Sequence, residues 1–294
     1  MTQIQAGRAV GMVGVVAGVI AIWLDFVSEG GISESYSDDG TTIAYLLVTL
    51  LLAGLCLSVS AAGGPKLDAG AAVFGGAALG FYLFFPAAAA WNSFDFLAAG
   101  AWLGICTALI PIGAVFASVA GRDWKHPERQ PTAIEALPAI AGLVVVFVAI
   151  WLSATRGTSY WNLGVLLSHG VGVVMIALCA LVAMRIFSIL TWPTPLTADA
   201  GLALGAITFG FYEVAVVQAA FDKFGVLDAG AWLGAVGGLV LLFGMASLWS
   251  ASTLGRFRGI RDETPVPAEV PTTQAEPAAE EAPASSLPPE APPG

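Results

Sequence analysis

GFYLFFPAAAAWNSFDFLAAGAWLG, at residues 80–104, has a second copy, GFYEVAVVQAAFDKFGVLDAGAWLG, at residues 210–234. The opening GFY and the closing AGAWLG of the two copies are displaced by the same 130 residues. Two anchors with one shared displacement indicate an internal duplication rather than two unrelated apolar segments. We therefore expect the chain to contain two copies of one structural unit.

The composition of the chain is typical of a membrane protein. Of its 294 residues, 57% are hydrophobic and only 11% are charged, whereas soluble domains carry about 25% charged residues. So little charge cannot cover a water-soluble fold, which predicts an all-α integral membrane protein in contact with the lipid bilayer. The Ala-, Gly- and Val-rich composition resembles that of bacterial membrane proteins, so we expect a plasma-membrane location. No basic stripe is present in the sequence, which excludes nucleic acid as a partner.

Eight segments of the sequence have the roughly 20 mostly apolar residues that a transmembrane helix needs. They are 9–28, 42–62, 68–90, 95–120, 136–154, 163–184, 198–220 and 228–252. The first of them also has features of a signal peptide, because Arg8 precedes its apolar stretch. Its AIWL at 21–24 returns at 149–152 in the fifth segment, however, so we expect it to be retained as part of the fold.

The distribution of Lys and Arg predicts the orientation of these segments. With the N-terminus in the cytoplasm, nine of the 11 basic residues fall on the cytoplasmic side, and only Arg156 and Lys223 fall outside. Both termini are then cytoplasmic. Because each half has an even number of spans, the second copy enters the membrane from the same side as the first, and the repeats are parallel. The predicted organisation is a first four-helix repeat at 9–120, a cytoplasmic linker at 121–135, a second four-helix repeat at 136–252 and a tail at 253–294.

Two polar segments are candidate contact surfaces for a protein partner. The C-terminal tail has nine prolines between residues 265 and 294, and it carries acidic residues but no Lys or Arg after Arg261. Such a segment cannot bury enough apolar surface to offset its ordering entropy, so we expect it to be disordered. The first outer loop, from about Val27 to Thr41, carries four acidic residues and no basic one.

Ionisable residues inside the predicted spans are the strongest signal for a functional site, because each is costly unless it is paired or hydrated. Glu213 in the seventh segment and His169 in the sixth both lie about seven residues from the outer end of their spans, so we expect them at one level, facing the bundle interior. Tyr212 and Gln218 are their candidate polar neighbours. This group is either a proton- or cation-linked site or a polar clamp that fixes packing. The first repeat has Leu83 at the position of Glu213, so the site belongs to one repeat only.

Glycines spaced four residues apart recur on the predicted helices. Glycine allows two helix backbones to approach closely, and in lipid this van der Waals contact replaces the hydrophobic driving force. The glycines of the repeated stretch are therefore predicted to pack helices at equivalent crossings of the two repeats. They are Gly80, Gly100, Gly104, Gly210, Gly230 and Gly234.

The sequence lacks the motifs of several common enzyme classes, because it has no HExxH, GxSxG or P-loop pattern. The three cysteines, Cys56, Cys106 and Cys179, lie in apolar runs without a metal-binding spacing. We therefore expect no catalytic site, metal or cofactor. The first hypothesis for function is a non-enzymatic structural or accessory membrane component. The second is a small-solute or ion transporter or channel whose path passes near Glu213 between the two repeats.

Overall fold

The structure, a computed structural model of the chain, describes residues 2–29, 32–89, 97–120, 130–163, 169–219 and 224–262. Most of these residues are helical. The helices are α1 (Gln3–Ile22), α2 (Gly40–Gly63), α3 (Pro65–Ala89), α4 (Ala99–Ile105), α5 (Leu109–Ala120), α6 (Ala133–Ala149), α7 (Gly170–Thr191), α8 (Pro195–Ala219) and α9 (Ala229–Asp262). A 3₁₀ turn at Cys106–Ala108 joins α4 to α5.

Two short antiparallel hairpins follow α1 and α6. In the first half, up to residue 120, β1 (Asp25–Glu29) pairs with β2 (Ile32–Ser35). In the second half, from residue 130, β3 (Ser153–Thr155) pairs with β4 (Thr158–Ser159). A 3₁₀ turn that begins with a tyrosine, Tyr36 or Tyr160, comes directly after each hairpin. The order helix, hairpin, tyrosine turn, helix is therefore the same in both halves.

Seven helical stretches in the described part of the chain are long and apolar enough to cross a membrane. They comprise α1, α2, α3, the α4–α5 pair, α7, α8 and α9 up to Ser252, whereas α6 is apolar but has only 17 residues. Large apolar side chains face outward: Val48, Leu51, Leu55 and Val59 form a stripe along α2 and are between 49% and 62% exposed. Such a stripe is stable in contact with lipid rather than water. The prediction of an all-α membrane protein is thus confirmed.

The helices that precede the hairpins are shorter than the predicted spans. α1 ends at Ile22 and α6 ends at Ala149, whereas the predicted spans continue to residues 28 and 154. The extra residues are apolar because the hairpins pack onto the bundle. The ring of Phe26 in β1, for example, lies with its centroid 4.4 Å from that of Phe85 in α3. Hydropathy alone does not distinguish a hairpin packed in this way from the end of a membrane span.

Two other boundaries also differ from the prediction. α7 begins at Gly170 rather than at residue 163, because a 3₁₀ turn occupies Tyr160–Asn162. α9 continues to Asp262, so the tail predicted at 253–294 begins inside a helix, and the rest of it lies outside the described residues. No proline occurs between residue 253 and Pro265 to break the helix earlier. The predicted linker at 121–135 is described from residue 130, and α6 already begins within it.

Helices of the two halves begin with the same local interactions. Thr2 caps α1 and Thr132 caps α6, and each threonine hydroxyl accepts a hydrogen bond from the backbone N–H three residues on. The side chain of that third residue accepts a bond from the threonine N–H, which completes a capping box. α3 and α8 both begin with proline, at Pro65 and Pro195, where a helix does not need the missing N–H. Each of these pairs is separated by 130 residues.

α3 and α8 form a close contact between the two halves. A Cβ atom on Gly76 would lie 2.9 Å from the carbonyl oxygen of Ala203, and one on Gly80 would overlap the backbone of Ile207. Because residue numbers rise together along the two helices, α3 and α8 run in the same direction. Only glycine permits this approach, since the atoms in the way belong to the facing backbone.

The same contact is made from the side of α8. A Cβ atom on Gly210 would overlap the carbonyl group of Ala77 in α3. The aromatic residues next to these glycines also meet, because the ring centroids of Phe84 and Phe211 are 5.4 Å apart. The two halves are therefore joined by backbone contact and, toward the C-terminal ends of α3 and α8, by aromatic packing.

Candidate functional site

The tyrosine of each GFY motif holds its helix against the first helix of its own half. The Tyr82 hydroxyl donates a hydrogen bond to the carbonyl oxygen of Gly18 in α1, and the Tyr212 hydroxyl donates one to that of Val146 in α6, each over 2.8 Å. Both tyrosines are fully buried. Their hydroxyls are satisfied inside the bundle, so they belong to its packing.

Two of the predicted packing glycines contact these tyrosines directly. A Cβ atom on Gly104 in α4 would overlap the ring of Tyr82, and a Cβ atom on Gly234 in α9 would overlap the ring of Tyr212. Each ring therefore lies in the space that a side chain would occupy on the AGAWLG helix. This explains why the GFY and AGAWLG motifs occur together in both copies of the stretch.

The other AGAWLG glycines pack against the hairpins. A Cβ atom on Gly100 would lie 2.8 Å from the carbonyl oxygen of Asp25 in β1. A Cβ atom on Gly230 would lie 2.6 Å from that of Ser153 in β3. α4 and α9 thus begin against hairpin backbone, and a single β-bridge, Val27 to Leu97 or Thr155 to Leu227, precedes each helix. We call the end of the bundle where both hairpins lie the hairpin end.

Glu213, the predicted intramembrane acid, lies on α8 near the hairpin end. Six residues separate it from the last residue of the helix, Ala219, which is a distance of about 9 Å along the axis. Its side chain is partly buried. It forms no hydrogen bond and no ion pair with any residue that the structure describes. Its carboxylate is therefore an acceptor without a donor in the described ranges.

Three tyrosine hydroxyls near the hairpin end are also without a hydrogen-bond partner among the described residues. They belong to Tyr36, Tyr45 and Tyr160, and each oxygen is buried. The Glu213 carboxylate acts electrostatically on the hydroxyls of Tyr45 and Tyr160. Burial, and after it this carboxylate, raises the pKa of Tyr160, while burial and then Tyr82 raise the pKa of Tyr36. Tyr36 and Tyr160 therefore stay protonated and can donate as well as accept a hydrogen bond.

Aromatic packing holds two of these tyrosines beside α8. The ring of Tyr160 meets that of Tyr212 edge-on, with centroids 5.2 Å apart. The ring of Tyr45, in α2, lies 5.2 Å from that of Phe81 in α3. Tyr45 thus comes from the first half and Tyr160 from the second, so the surroundings of Glu213 are built by both halves.

The structure does not join His169 to Glu213, and it places His169 at the cap of α7 rather than inside a span. The side chain of His169 is exposed, and its ring stacks on that of Trp161 with centroids 4.8 Å apart. Its Nδ1 atom lies 3.0 Å from the carbonyl oxygen of Trp161. The physical reason is the later start of α7, which leaves His169 in the connection between the tyrosine turn and the helix.

The other two predicted neighbours also do not form a polar group with Glu213. Gln218 is exposed, one turn further along α8. Tyr212 precedes Glu213 in the chain, but its hydroxyl is bonded to Val146. The residues that the structure brings to Glu213, Tyr45 and Tyr160, are not part of the predicted group, because nothing in the sequence indicates that these distant segments meet.

Two buried aspartates at the opposite end from the hairpins are missing from the sequence prediction. Asp68 in α3 is 2% exposed and accepts hydrogen bonds from Nε and Nη2 of Arg8 in α1, each over 3.2 Å. Asp199 in α8 is 1% exposed and accepts bonds from the Ser118 hydroxyl, over 2.7 Å, and from the indole N–H of Trp249. The available signal is an aspartate near the start of both GFY-bearing helices. These carboxylates tie helices together.

The polar groups near Glu213 can bind and orient a hydrogen-bonding species, because a carboxylate accepts and tyrosine hydroxyls donate or accept. Among the described residues, no group of three or more His, Cys, Asp or Glu side chains is placed to hold a metal ion. Comparison with protein families, with curated proteins and with solved structures gives no match for this chain.

Proposed function

We propose that this protein is a non-enzymatic structural or accessory component of the plasma membrane. The observation that carries the proposal is the contact of α3 with α8, where Gly80 and Gly210 bring two helix backbones together. Backbones in contact leave no room for a solute between α3 and α8 at that level. A bundle that is closed there suits a protein that binds or organises other membrane components better than one that conducts.

In this proposal the chain consists of two parallel four-helix repeats, at 9–120 and 136–252. Gly80 meets Ile207 and Gly210 meets Ala77, and a displacement of 130 residues converts each pair into the other. Exchanged partners of this kind are expected at a two-fold axis between equivalent units. The common direction of α3 and α8 supports an axis along the membrane normal, which is the arrangement of parallel repeats.

The proposal includes α6 as an eighth membrane helix, although it has only 17 residues. A Cβ atom on Gly14 of α1 would lie 2.9 Å from the backbone nitrogen of Ile110 in α5. Gly142 of α6 faces the backbone of Leu241 in α9 in a similar way. α6 thus occupies, in the second half, the position of α1 in the first, and this supports a membrane location for both.

The proposed orientation places both termini in the cytoplasm, because nine of the 11 Lys and Arg residues then lie on that side. The hairpin end faces outward in this orientation. The first half exposes Asp25, Glu34 and Asp38 there, which gives an acidic surface for a protein partner. The tail at 253–294 is the corresponding candidate surface on the cytoplasmic side.

Truncation of the tail tests the accessory role. Chemical cross-linking in membranes, followed by native electrophoresis, is expected to detect the full chain in an assembly larger than the chain itself. Truncation after Asp262 is expected to release the chain from that assembly, as is a Glu34→Gln, Asp38→Asn double variant if the outer loop is the contact. Glu213→Gln serves as the control and should leave the assembly intact. Migration of the full chain alone under all conditions would show that the accessory role is wrong.

Transport of a small solute or ion near Glu213 is a second candidate function. The observation that favours it is a carboxylate inside α8 with no hydrogen bond or ion pair to any described residue. Ionisable groups within membrane spans are costly and often mark ion or proton pathways. With the purified protein in sealed vesicles, this function predicts a flux that Glu213→Gln abolishes and that Glu34→Gln, at an exposed acid, preserves. A folded protein without flux would exclude the second candidate.

A further inference from the structure

The unpaired polar groups at the hairpin end have a structural cost that the packing of the bundle does not explain. The hydroxyls of Tyr45 and Tyr160 are buried without a partner in the described residues, and Tyr160 as a whole has 0% exposure. Burying a hydroxyl without a hydrogen bond destabilises a protein, whereas phenylalanine in the same place has no such penalty. Tyrosine is therefore expected at these positions only if something bonds to the hydroxyl.

Glu213, Tyr45 and Tyr160 lie at similar depth. Tyr45 is five residues from the start of α2 at Gly40, and Glu213 is six residues from the end of α8, so both lie about 7–9 Å from the hairpin-end termini of their helices. Tyr160 is held next to Glu213 by the edge-on contact of its ring with Tyr212. The three side chains thus come from α2, α8 and the turn after the second hairpin.

The floor of this group is closed by the contact between the halves. Gly210 lies one turn before Glu213 on α8, and its Cα meets the backbone of Ala77 in α3 without an intervening side chain. The partial exposure of Glu213 leaves its carboxylate accessible. The group therefore has the form of a site that a ligand enters and leaves by the same route.

The number and type of acceptors indicate what the ligand is. The ionised carboxylate and two hydroxyl oxygens offer three acceptors from three side chains, and a primary ammonium group has three N–H donors. Aromatic rings, those of Phe81 and Phe211 among them, pack beside the site and suit a short alkyl chain. We propose that Glu213, Tyr45 and Tyr160 bind the ammonium group of a small primary amine. A bare Na⁺ or Ca²⁺ fits less well, because Ca²⁺ takes six to eight oxygen ligands.

The first half provides a natural comparison for this site. Tyr36 corresponds to Tyr160, since each begins the turn after a hairpin and each packs edge-on against the tyrosine of a GFY motif. Its hydroxyl is likewise buried without a partner. Leu83 stands where the second half has Glu213. The first half therefore has the hydroxyl without the carboxylate, and it should not bind the amine.

Equilibrium binding of ethylammonium chloride to the full chain in lipid nanodiscs tests the proposal. Isothermal titration is expected to show saturable binding, with sodium chloride at equal ionic strength giving none. Tyr45→Phe and Tyr160→Phe should each weaken binding about tenfold, because each removes one hydrogen bond to a charged group. Glu213→Gln should abolish binding. Tyr36→Phe is the matched control and should bind like the wild type.

The outcomes decide the proposal in either direction. Binding that Glu213→Gln or both tyrosine variants leave unchanged would overturn it, as would equal binding of sodium or no binding of ethylammonium. If Glu213→Gln does not fold, the comparison of Tyr160→Phe with Tyr36→Phe decides, because both retain the ring and its packing. Binding is measured without flux and without a protein partner, so the result does not depend on the accessory role.

Discussion

Gly80 is the position where the structure makes the sharpest stability prediction. A Cβ atom there would overlap Ile207 and lie 2.7 Å from the backbone nitrogen of Phe211. These are backbone atoms of α8, which cannot rotate aside as the end of a flexible side chain can. Gly80→Ala must therefore move α3 away from α8, and the aromatic contact of Phe84 with Phe211 loosens with it.

The magnitude follows from two opposing effects. Overpacking in a well-packed interior costs about 1–3 kcal/mol, while replacing glycine with alanine inside a helix gains about 0.8–1 kcal/mol from helix propensity. Gly54 in α2 is the matched control, because a Cβ there would meet only Val15 at 3.4 Å, an ordinary contact. Gly54→Ala is thus expected to keep the gain, and Gly80→Ala is expected to be less stable than Gly54→Ala by about 1–3 kcal/mol.

Unfolding of the purified protein in detergent micelles, followed with a chemical denaturant, measures this difference. The two variants should share the same slope against denaturant and differ in midpoint. Gly80→Leu should lower the midpoint further or prevent folding. The reasoning is refuted if Gly80→Ala is as stable as Gly54→Ala, because the α3–α8 contact would then tolerate a side chain.

Three other variants are expected to change stability. Tyr82→Phe and Tyr212→Phe each remove one buried hydrogen bond, and thermal unfolding should show similar losses of about 0.5–1.5 kcal/mol for the two; a loss in only one would contradict their equivalence. Arg8→Met leaves the buried carboxylate of Asp68 without its ion pair and should cost about 3–5 kcal/mol, whereas an unchanged midpoint would show that the pair contributes nothing. Although partial burial opposes it, hydrogen bonds from the adjacent threonines lower the pKa of Asp39. Its contribution to stability is therefore complete above its unfolded pKa of about 3.9 and is lost as pH falls through the lower folded value. The melting temperature of Asp39→Asn should consequently depend less on pH in the acid range than that of the wild type, and equal slopes would show that this aspartate has no such role.

Composition predicts the membrane class of this protein because so few charged residues cannot cover a soluble fold. The ends of the helices are less predictable, since hydropathy treats Phe26 as a membrane residue although it belongs to a hairpin that packs on Phe85. The same limit affects His169, which lies in an apolar run of the sequence but caps α7 in the structure. Local sequence does not record which apolar residues face lipid and which face other parts of the protein.

The candidate site shows the same division between local and long-range information. Glu213 is evident from the sequence because it is an acid inside an apolar segment. Tyr45 and Tyr160 are separated from it by many residues, and only the fold brings them close. Asp68 and Asp199 are visible in the sequence near the starts of two predicted spans, but their burial depends on Arg8 and on partners in other helices.

The contact of α3 with α8 has a consequence for how such a chain can change over time. A surface on which Gly80 meets Ile207 and Gly210 meets Ala77 is the kind through which a single four-helix unit would form a symmetric homodimer. In a dimer of identical chains, every substitution appears on both sides of the axis. A fused chain removes that restriction, so one half can acquire a carboxylate such as Glu213 while the other keeps Leu83 and preserves the packing.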